Sequence, residues 1–308
     1  EACAILALFR RMAAKVEASK EQTPLKKAAI TAFAVVLEMT SGGLFMENVK
    51  MEKQRTSLPY PTILRKVLGQ GIRGFEAGLW PWGLLLGVTK GYVLGGSKVE
   101  LNNLFKNAGM SKEGADLASG FGAGAVQGMF MSPILLARTR VNQSLAERAA
   151  KGTVDTTLMA EMKISGRILT EAVKNEGAGV LLSGMGTFIV KRSLDWGTRF
   201  VFLNQIRDAV LATKPEGEQK LTKFEKLWTS FVGGGASVTV TMPIDRLMPI
   251  IQAAGGKGGE GPLAVLKKKF AEEGMSTIFR GWIARTIHSG YHTAFALFVA
   301  DLIYDLIG

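Results

Sequence analysis

Cysteine is almost absent from this 308-residue chain. The single one, Cys3, excludes an internal disulfide, a thiolate metal cluster and a CxxC redox pair. Histidine is nearly as scarce. His288 and His292 lie four apart, with no third ligand for a metal site and no partner set for Ser-His-Asp catalysis. No metal, no cofactor and no enzymatic activity is therefore expected. Acidic residues are in deficit: 38 Lys and Arg against 26 Asp and Glu leave a formal charge of +12. Long apolar runs are lacking as well, and few stretches approach the roughly 20 uninterrupted apolar residues of a simple spanning helix.

What is present is an unusual mixture. Apolar residues make up 47% and mean hydropathy is +0.18, yet 21% of residues are charged. That excludes disorder, collagen and a disulfide mini-protein. Helices that cross lipid while lining a water-filled cavity on one side would give this mixture. The positive charge admits nucleic acid, anionic lipid or an anionic solute as partner. Basic residues flank the apolar stretches, as at Lys26, Lys27, Lys50, Lys53, Arg65, Lys66 and Lys267 to Lys269. They form no aromatic-interleaved patch, which favours a membrane surface plus an anionic solute over nucleic acid. Residues 1–26 are amphipathic and basic and open on Glu1 rather than Met. A processed N-terminus is expected, the segment being a presequence remnant, an interfacial helix or a tail.

Internal similarity organises the rest. Phe45-Met-Glu47 leading to Lys50, Pro133-Ile-Leu135 leading to Arg138, and Pro243-Ile-Asp245 leading to Met248 align, each closing a Gly-rich apolar stretch. A second landmark follows each, ending at Gly78, Gly184 and Gly281, which are 106 and 97 residues apart. The repeats run approximately 27–107, 108–212 and 213–308. Each holds two long helices, giving six at roughly 27–55, 79–107, 112–145, 184–212, 221–253 and 281–306. Short amphipathic helices are expected at Tyr60–Gly69, Met162–Asn175 and Pro262–Glu273. Ser111 marks a helix start, and Thr222 with Glu225 has capping-box spacing. Gly120, Gly124 and Gly128 give a GxxxGxxxG face. Thirty helical residues span about 45 Å, enough to cross a bilayer at a tilt.

Three two-helix repeats, with Pro-x-acidic-x-x-basic closing each odd helix, resemble the mitochondrial carrier family. The third repeat is the most specific, with Met242-Pro243-Ile244-Asp245 followed by Phe279-Arg280-Gly281. Within the family, several stretches are similar to the fungal citrate–oxoglutarate branch. They are Glu38-Met-Thr40, Gly78-Leu-Trp-Pro81-Trp82, Thr89-Lys90-Gly91, Asp195-Trp196-Gly197-Thr198-Arg199-Phe200 and Phe224-Glu225-Lys226. The resemblance implies an all-α membrane protein. It would have six transmembrane helices in three pseudo-threefold repeats, with short matrix-side amphipathic helices, in the mitochondrial inner membrane. It would exchange solutes by alternating access.

By the same resemblance, the matrix gate falls on Glu47/Lys50, Leu135/Arg138 and Asp245/Met248. If each acid pairs with the base of the next repeat, the pairs are Glu47–Arg138, Leu135–Met248 and Asp245–Lys50. Both lost charges then share one pair, so neither is orphaned, and an apolar replacement of both partners can be neutral. This is a working gate of two ion pairs, or a ring decayed for want of transport. Phe45 in place of the first proline speaks for the decayed ring, since the proline kink lets odd helices bend shut. The outer gate maps to Glu100/Asn103, Asn204/Arg207 and Asp301/Tyr304, where one full pair, Glu100–Arg207, could form.

Ionisable residues within spanning helices are functional candidates. Lys90, Arg192, Asp195, Arg199, Arg285, His288 and His292 are the expected substrate-binding set, with Lys191 and Tyr291 nearby. Residues 192, 195 and 199 share a helix face, and the cations suit a carboxylate. Asp195 either weakens binding of a trianion or pairs internally with Arg199. Gly69-Gln-Gly71-Ile-Arg-Gly74 matches GxGxxG but has no βαβ context. Cardiolipin is the implied lipid, at helix N-termini near Gly78, Gly184, Arg280 and Gly281. The alternative function is a carrier-derived structural subunit of a respiratory-chain or ATP synthase assembly, motivated by Phe45, Leu135 and Met248. A nucleotide carrier is a third reading, without an aromatic partner for adenine.

Overall fold

A computed structural model describes residues 23–56, 58–69, 82–150, 158–177, 179, 182, 184–215, 220–253, 264, 267, 268, 271, 272, 274 and 279–307. The N-terminal segment 1–22, Gly78 and the 255–261 loop lie outside them, as do much of the expected 262–273 helix and the side chain of Met248. Among the described residues there is no strand. The helices are α1 (Pro24–Glu38), α2 (Leu44–Arg55), α3 (Tyr60–Leu68), α4 (Trp82–Asn107), α5 (Lys112–Ala150), α6 (Leu158–Glu176), α7 (Met185–Ala212), α8 (Lys223–Ala253) and α9 (Trp282–Ile307).

Local chemistry sets several boundaries. Thr23 caps α1, its Oγ1 accepting from Lys26 N at 3.3 Å, so the helix starts slightly before the expected residue 27. Ser111 Oγ accepts from Gly114 N at 3.1 Å. Thr222 N donates to Glu225 Oε2 at 2.7 Å while Glu225 N donates back to Thr222 Oγ1 at 3.2 Å, a reciprocal capping box.

The first long helix is bent although Phe45 stands at its proline position. A π-helical turn, Met39–Gly43, joins α1 to α2, and Gly42 within it has φ of +143°. That value is open to glycine and closed to β-carbon-bearing residues. The bend sits three residues ahead of the missing proline, and Phe45 instead packs with Val49, Ile63 and Val67 where α3 meets α2.

Long helices pack on their neighbours in chain order: α1 on α4, α4 on α5, α5 on α7, α7 on α8 and α8 on α9. Helix α9 then returns to α1 and α2, closing a ring. Glycines set the spacing. A β-carbon on Gly91 of α4 would come within 2.5 Å of the Ala32 Cα on α1. On α5, Gly120 abuts Phe200, Gly124 the Arg192 carbonyl and Gly128 Ile189, so the GxxxGxxxG face meets α7.

The side chains are sorted opposite to those of a water-soluble bundle. Glu38 is 1% exposed, Asp195 2% and Arg199 5%, whereas Phe130 is 59% and Ile283 54% exposed. Val190, Phe231, Val232 and Val240 are also exposed. Apolar outside and ionic inside suits a hydrocarbon surround and a polar interior. By length and composition alone, two helices among the described residues could cross a membrane, Pro24–Gln54 and Lys112–Arg138. Other long helices carry interior charges, such as Lys191, Arg192 and Asp195 in α7.

Candidate functional site

The ring encloses a cavity of about 190 Å³, lined from α1, α2, α4, α5, α7, α8 and α9. Its wall includes Glu38, Glu47, Lys50, Lys90, Leu135, Lys191, Arg192, Asp245, Arg285 and His288. The expected substrate-binding residues thus converge, although they come from α4, α7 and α9. Arg199 and His292 are buried in the same region, deeper along α7 and α9.

Two carboxylates and two cations form a closed ionic square on one wall. Lys191 Nζ donates to Asp195 Oδ2 at 2.8 Å and lies 2.9 Å from Asp245 Oδ1. Arg285 lies 3.3 Å from Asp195 Oδ1 through Nη2 and 3.1 Å from Asp245 Oδ2 through Nε. Arg192 Nη1 approaches Asp195 Oδ2 at 3.5 Å. Asp195 is therefore an internal counter-ion, but for Lys191, Arg285 and Arg192 rather than for Arg199, as the sequence had suggested. A shared helix face does not decide pairing when a neighbouring helix supplies Arg285.

Gln127 of α5 organises the cations next to the square. Its Oε1 accepts from Arg192 Nε at 2.7 Å, from Arg192 Nη2 and from Trp196 Nε1 at 2.9 Å. Its Nε2 donates to the Lys90 carbonyl at 2.7 Å. Arg199 donates through Nη2 to Ser289 Oγ at 2.8 Å, and its guanidinium sits 4.5 Å from the Trp196 ring centroid. Among the described residues in and around the cavity, seven cations (Lys50, Lys90, Arg138, Lys191, Arg192, Arg199 and Arg285) face four carboxylates (Glu38, Glu47, Asp195 and Asp245). With both histidines neutral the surplus is three positive charges.

On the opposite wall, His292 Nδ1 lies 2.9 Å from Glu38 Oε2 and 3.5 Å from Lys90 Nζ. Tyr291 and Ser41 share a hydrogen bond of 2.8 Å beside the Gly42 bend.

Of the expected gate pairs, Glu47–Arg138 is formed, with Arg138 Nη1 donating at 3.4 Å. Asp245–Lys50 is not: no N···O distance between them is 4.0 Å or less, because Asp245 is held by Lys191, Arg285 and Gln54 Nε2 at 3.3 Å. Leu135 packs with Leu86, Met131 and Phe188. At the far end the expected Glu100–Arg207 pair is likewise not formed. Glu100 is exposed, and Arg207 donates to Ser230 Oγ at 3.4 Å. Lys98–Asp116 at 2.9 Å and Lys226–Asp301 at 3.2 Å pair there instead, and Asn204 donates to Asp116 at 3.3 Å. Below them Leu94, Ala123, Trp196, Phe200 and Leu203 form an apolar plug.

At the other end of the bundle, Gly184 (φ +73°) and Gly281 (φ +82°) precede α7 and α9. An open groove beside Gly281 is lined by Lys53, Tyr60, Thr239, Phe279, Arg280, Trp282 and Ile283. Among the described residues no cluster of three or more His, Cys, Asp or Glu is placed to hold a metal ion.

Gln127, Lys98 and Asp116 were not among the expected site residues, and Lys191 was named only as a neighbour of them. Lys191 had a signal, a third ionisable residue beside Arg192 within an apolar helix. Gln127 had one too, a lone amide on a glycine face.

A family model described as "Mitochondrial carrier protein" matches residues 111–214 and 219–308. The chain is 23% identical to the citrate/oxoglutarate carrier protein of Saccharomyces cerevisiae, over 77% of this chain and 75% of that protein. It is 26% identical to the mitochondrial succinate-fumarate transporter 1 of Arabidopsis thaliana, over 96% of each. To the mitochondrial aspartate-glutamate transporter of S. cerevisiae it is 22% identical, over 84% of this chain and 29% of that protein.

Proposed function

The chain belongs to the mitochondrial carrier family, and from that premise we propose that it exchanges carboxylate anions of the citrate and oxoglutarate type across the mitochondrial inner membrane. Relatives that carry citrate, oxoglutarate, succinate, fumarate, aspartate and glutamate make it a mitochondrial membrane transporter of small solutes rather than an enzyme. The six long helices act as six spans in three pseudo-symmetric pairs, residues 27–308 forming one carrier domain.

One observation carries the substrate class: the surplus of three positive charges around an otherwise ion-paired cavity. Burying such a surplus in lipid is costly unless a polyanion completes it. Arg192, Arg199 and Arg285, with Lys90, offer planar and point donors for two or three carboxylates. His288 and His292 complete the polar lining.

Alternating access follows from the two ends. At the outer end Lys98–Asp116, Lys226–Asp301 and the Trp196–Phe200 plug shut the bundle. At the matrix end Glu47–Arg138 is paired and Asp245–Lys50 is not. This asymmetry supports a matrix-facing carrier. An arriving carboxylate competes with Asp245 for Arg285 and Lys191. Once displaced, Asp245 can swing to Lys50 and shut the inner gate, so substrate binding itself drives closure. Cardiolipin headgroups would seat near Gly184 and in the Arg280–Gly281 groove.

The uncharged Leu135 position keeps the structural-subunit reading alive, and a fixed stoichiometry with a respiratory complex or ATP synthase would favour it. The test is labelled citrate uptake into proteoliposomes preloaded with oxoglutarate. Saturable exchange that falls at least about 100-fold in Arg199→Ala is expected, since loss of a charge-assisted contact in a desolvated site costs about 3 kcal/mol or more. No uptake by folded protein across a panel of carboxylates overturns the proposal.

A further inference from the structure

We propose that Gln127 sets the aim and the charge of the cavity's cations, and through them its preference for tricarboxylates over dicarboxylates. It is a positioning residue, acting through Lys90, Arg192 and Trp196. The inference deepens the carboxylate-exchange reading and rests on it.

Gln127 is 0% exposed. It sits on α5 behind the wall to which Lys90, Met131 and Arg192 contribute. Burying an amide is costly unless both its ends are hydrogen-bonded. Here both are. Oε1 accepts from Arg192 Nε at 2.7 Å, from Arg192 Nη2 and from Trp196 Nε1 at 2.9 Å. Nε2 donates to the Lys90 carbonyl at 2.7 Å. One side chain on α5 thus ties α4 to α7 beside the cavity.

Its reach extends through Trp196. The bond to the indole N–H orients the ring, and the Arg199 guanidinium lies 4.5 Å from the ring centroid, with that of Arg192 at 6.0 Å. A cation over an indole face is held by the ring quadrupole. The amide therefore places three cations: Arg192 directly, Lys90 through its backbone, and Arg199 through Trp196.

Charge supplies the second argument. An oxygen that accepts two N–H groups of one guanidinium occupies the place that a carboxylate fills best. A glutamate would fit the same space, but it would cancel Arg192 and cut the cavity surplus from three to two. The amide holds the guanidinium without neutralising it. Asp195 approaches Arg192 only at 3.5 Å and is shared with Lys191 and Arg285. The Arg192 charge is thereby kept for the substrate. A surplus of three matches a citrate trianion, and a surplus of two would match an oxoglutarate dianion.

The test compares wild type, Gln127→Glu and Gln127→Met in proteoliposomes, with citrate and oxoglutarate as external substrates at a pH where citrate is a trianion. In Gln127→Glu the kcat/KM ratio of citrate to oxoglutarate should fall about tenfold or more, the equivalent of about 1.4 kcal/mol. The added carboxylate repels the third charge of citrate across a site of low effective dielectric. Gln127→Met keeps the bulk and removes both polar ends. Its KM should rise about tenfold for both substrates, with their ratio retained, because the cations lose their aim and not their charge. An unchanged ratio in Gln127→Glu overturns the inference. So does an equal fall of the ratio in both variants, since charge would not be its cause. A residue that only held helices together would depress both substrates alike in both variants, and that result overturns it too. If Gln127→Glu does not fold, Gln127→Met decides, and wild-type KM values there overturn the inference. Each of these leaves the carrier reading standing. Absence of any wild-type exchange overturns the carrier reading and this inference with it.

Discussion

Replacing Asp195 by Asn should loosen the protein and tighten its grip on tricarboxylates. Asp195 accepts from Lys191 at 2.8 Å and lies 3.3 Å from Arg285 and 3.5 Å from Arg192, at 2% exposure. At an effective dielectric near 20, the Lys191 contact alone is worth roughly 6 kcal/mol of gross attraction. Most of that offsets desolvation, and removing one partner of such a buried group typically costs a net of about 3–5 kcal/mol. For a chain of this size that lowers the midpoint of thermal unfolding by several degrees, at about 2 °C or more per kcal/mol. The same change releases three cations from an internal competitor. Citrate then displaces one resident carboxylate, Asp245, rather than two, and its affinity should rise about tenfold or more. A thermal-shift titration in detergent measures both effects. Asp195→Asn should melt earlier without ligand and gain more from saturating citrate, ligand stabilisation growing as RT ln(1 + [L]/Kd). Transport should show a lower KM and a lower maximal rate, because a tighter loaded state releases its cargo more slowly. An unchanged melting temperature, or a citrate-induced shift no larger than in the wild type, would refute the competition argument.

Two further outcomes follow from the packing and the gate. Glu47→Arg and Arg138→Glu should each cut exchange at least about tenfold by placing like charges at a 3.4 Å contact, and the double swap should recover much of the loss; a double variant no better than the singles means the pair is not a gate. Gly91→Ala should lower the melting midpoint in detergent by several degrees, because its β-carbon would sit 2.5 Å from the Ala32 Cα and force α1 from α4, at a cost of about 1–3 kcal/mol; an unchanged midpoint would mean the helices can separate freely.

The parts of this structure legible in the sequence were those set by local periodicity. Helix ends at Ser111 and Thr222 and the α5 glycine face follow from spacing and residue type, and the Glu47–Arg138 pair is what the family resemblance implied. What escaped depended on partners far along the chain or on the state of the gate. Asp245 was expected to meet Lys50, but the folded arrangement gives it Lys191 and Arg285. Asp195 pairs one turn back with Lys191 and 90 residues away with Arg285, rather than one turn ahead with Arg199. The first helix has Phe45 at the proline position, and the adjacent glycines Gly42 and Gly43 create its bend instead. Gly42 supplies the left-handed backbone, and Gly43 leaves room for the Glu38 carboxylate.

The closure of the ring by α9 against α1 and α2 bears on how the chain must be made. Until residues 282–307 arrive, the wall that carries Arg285 and His292 is missing, and Glu38, Asp195 and Asp245 lack their partners from that helix. A nascent bundle of the earlier helices would present these carboxylates sideways to acyl chains, an arrangement lipid penalises heavily. The protein therefore cannot mature helix by helix with each step held by its own contacts. Its earlier helices must be sheltered by an insertion apparatus, or kept at the aqueous border, until the last helix docks. Surveillance proteases consequently have a mark for an unfinished chain: carboxylates at mid-depth that still lack the guanidinium and imidazole of the last helix.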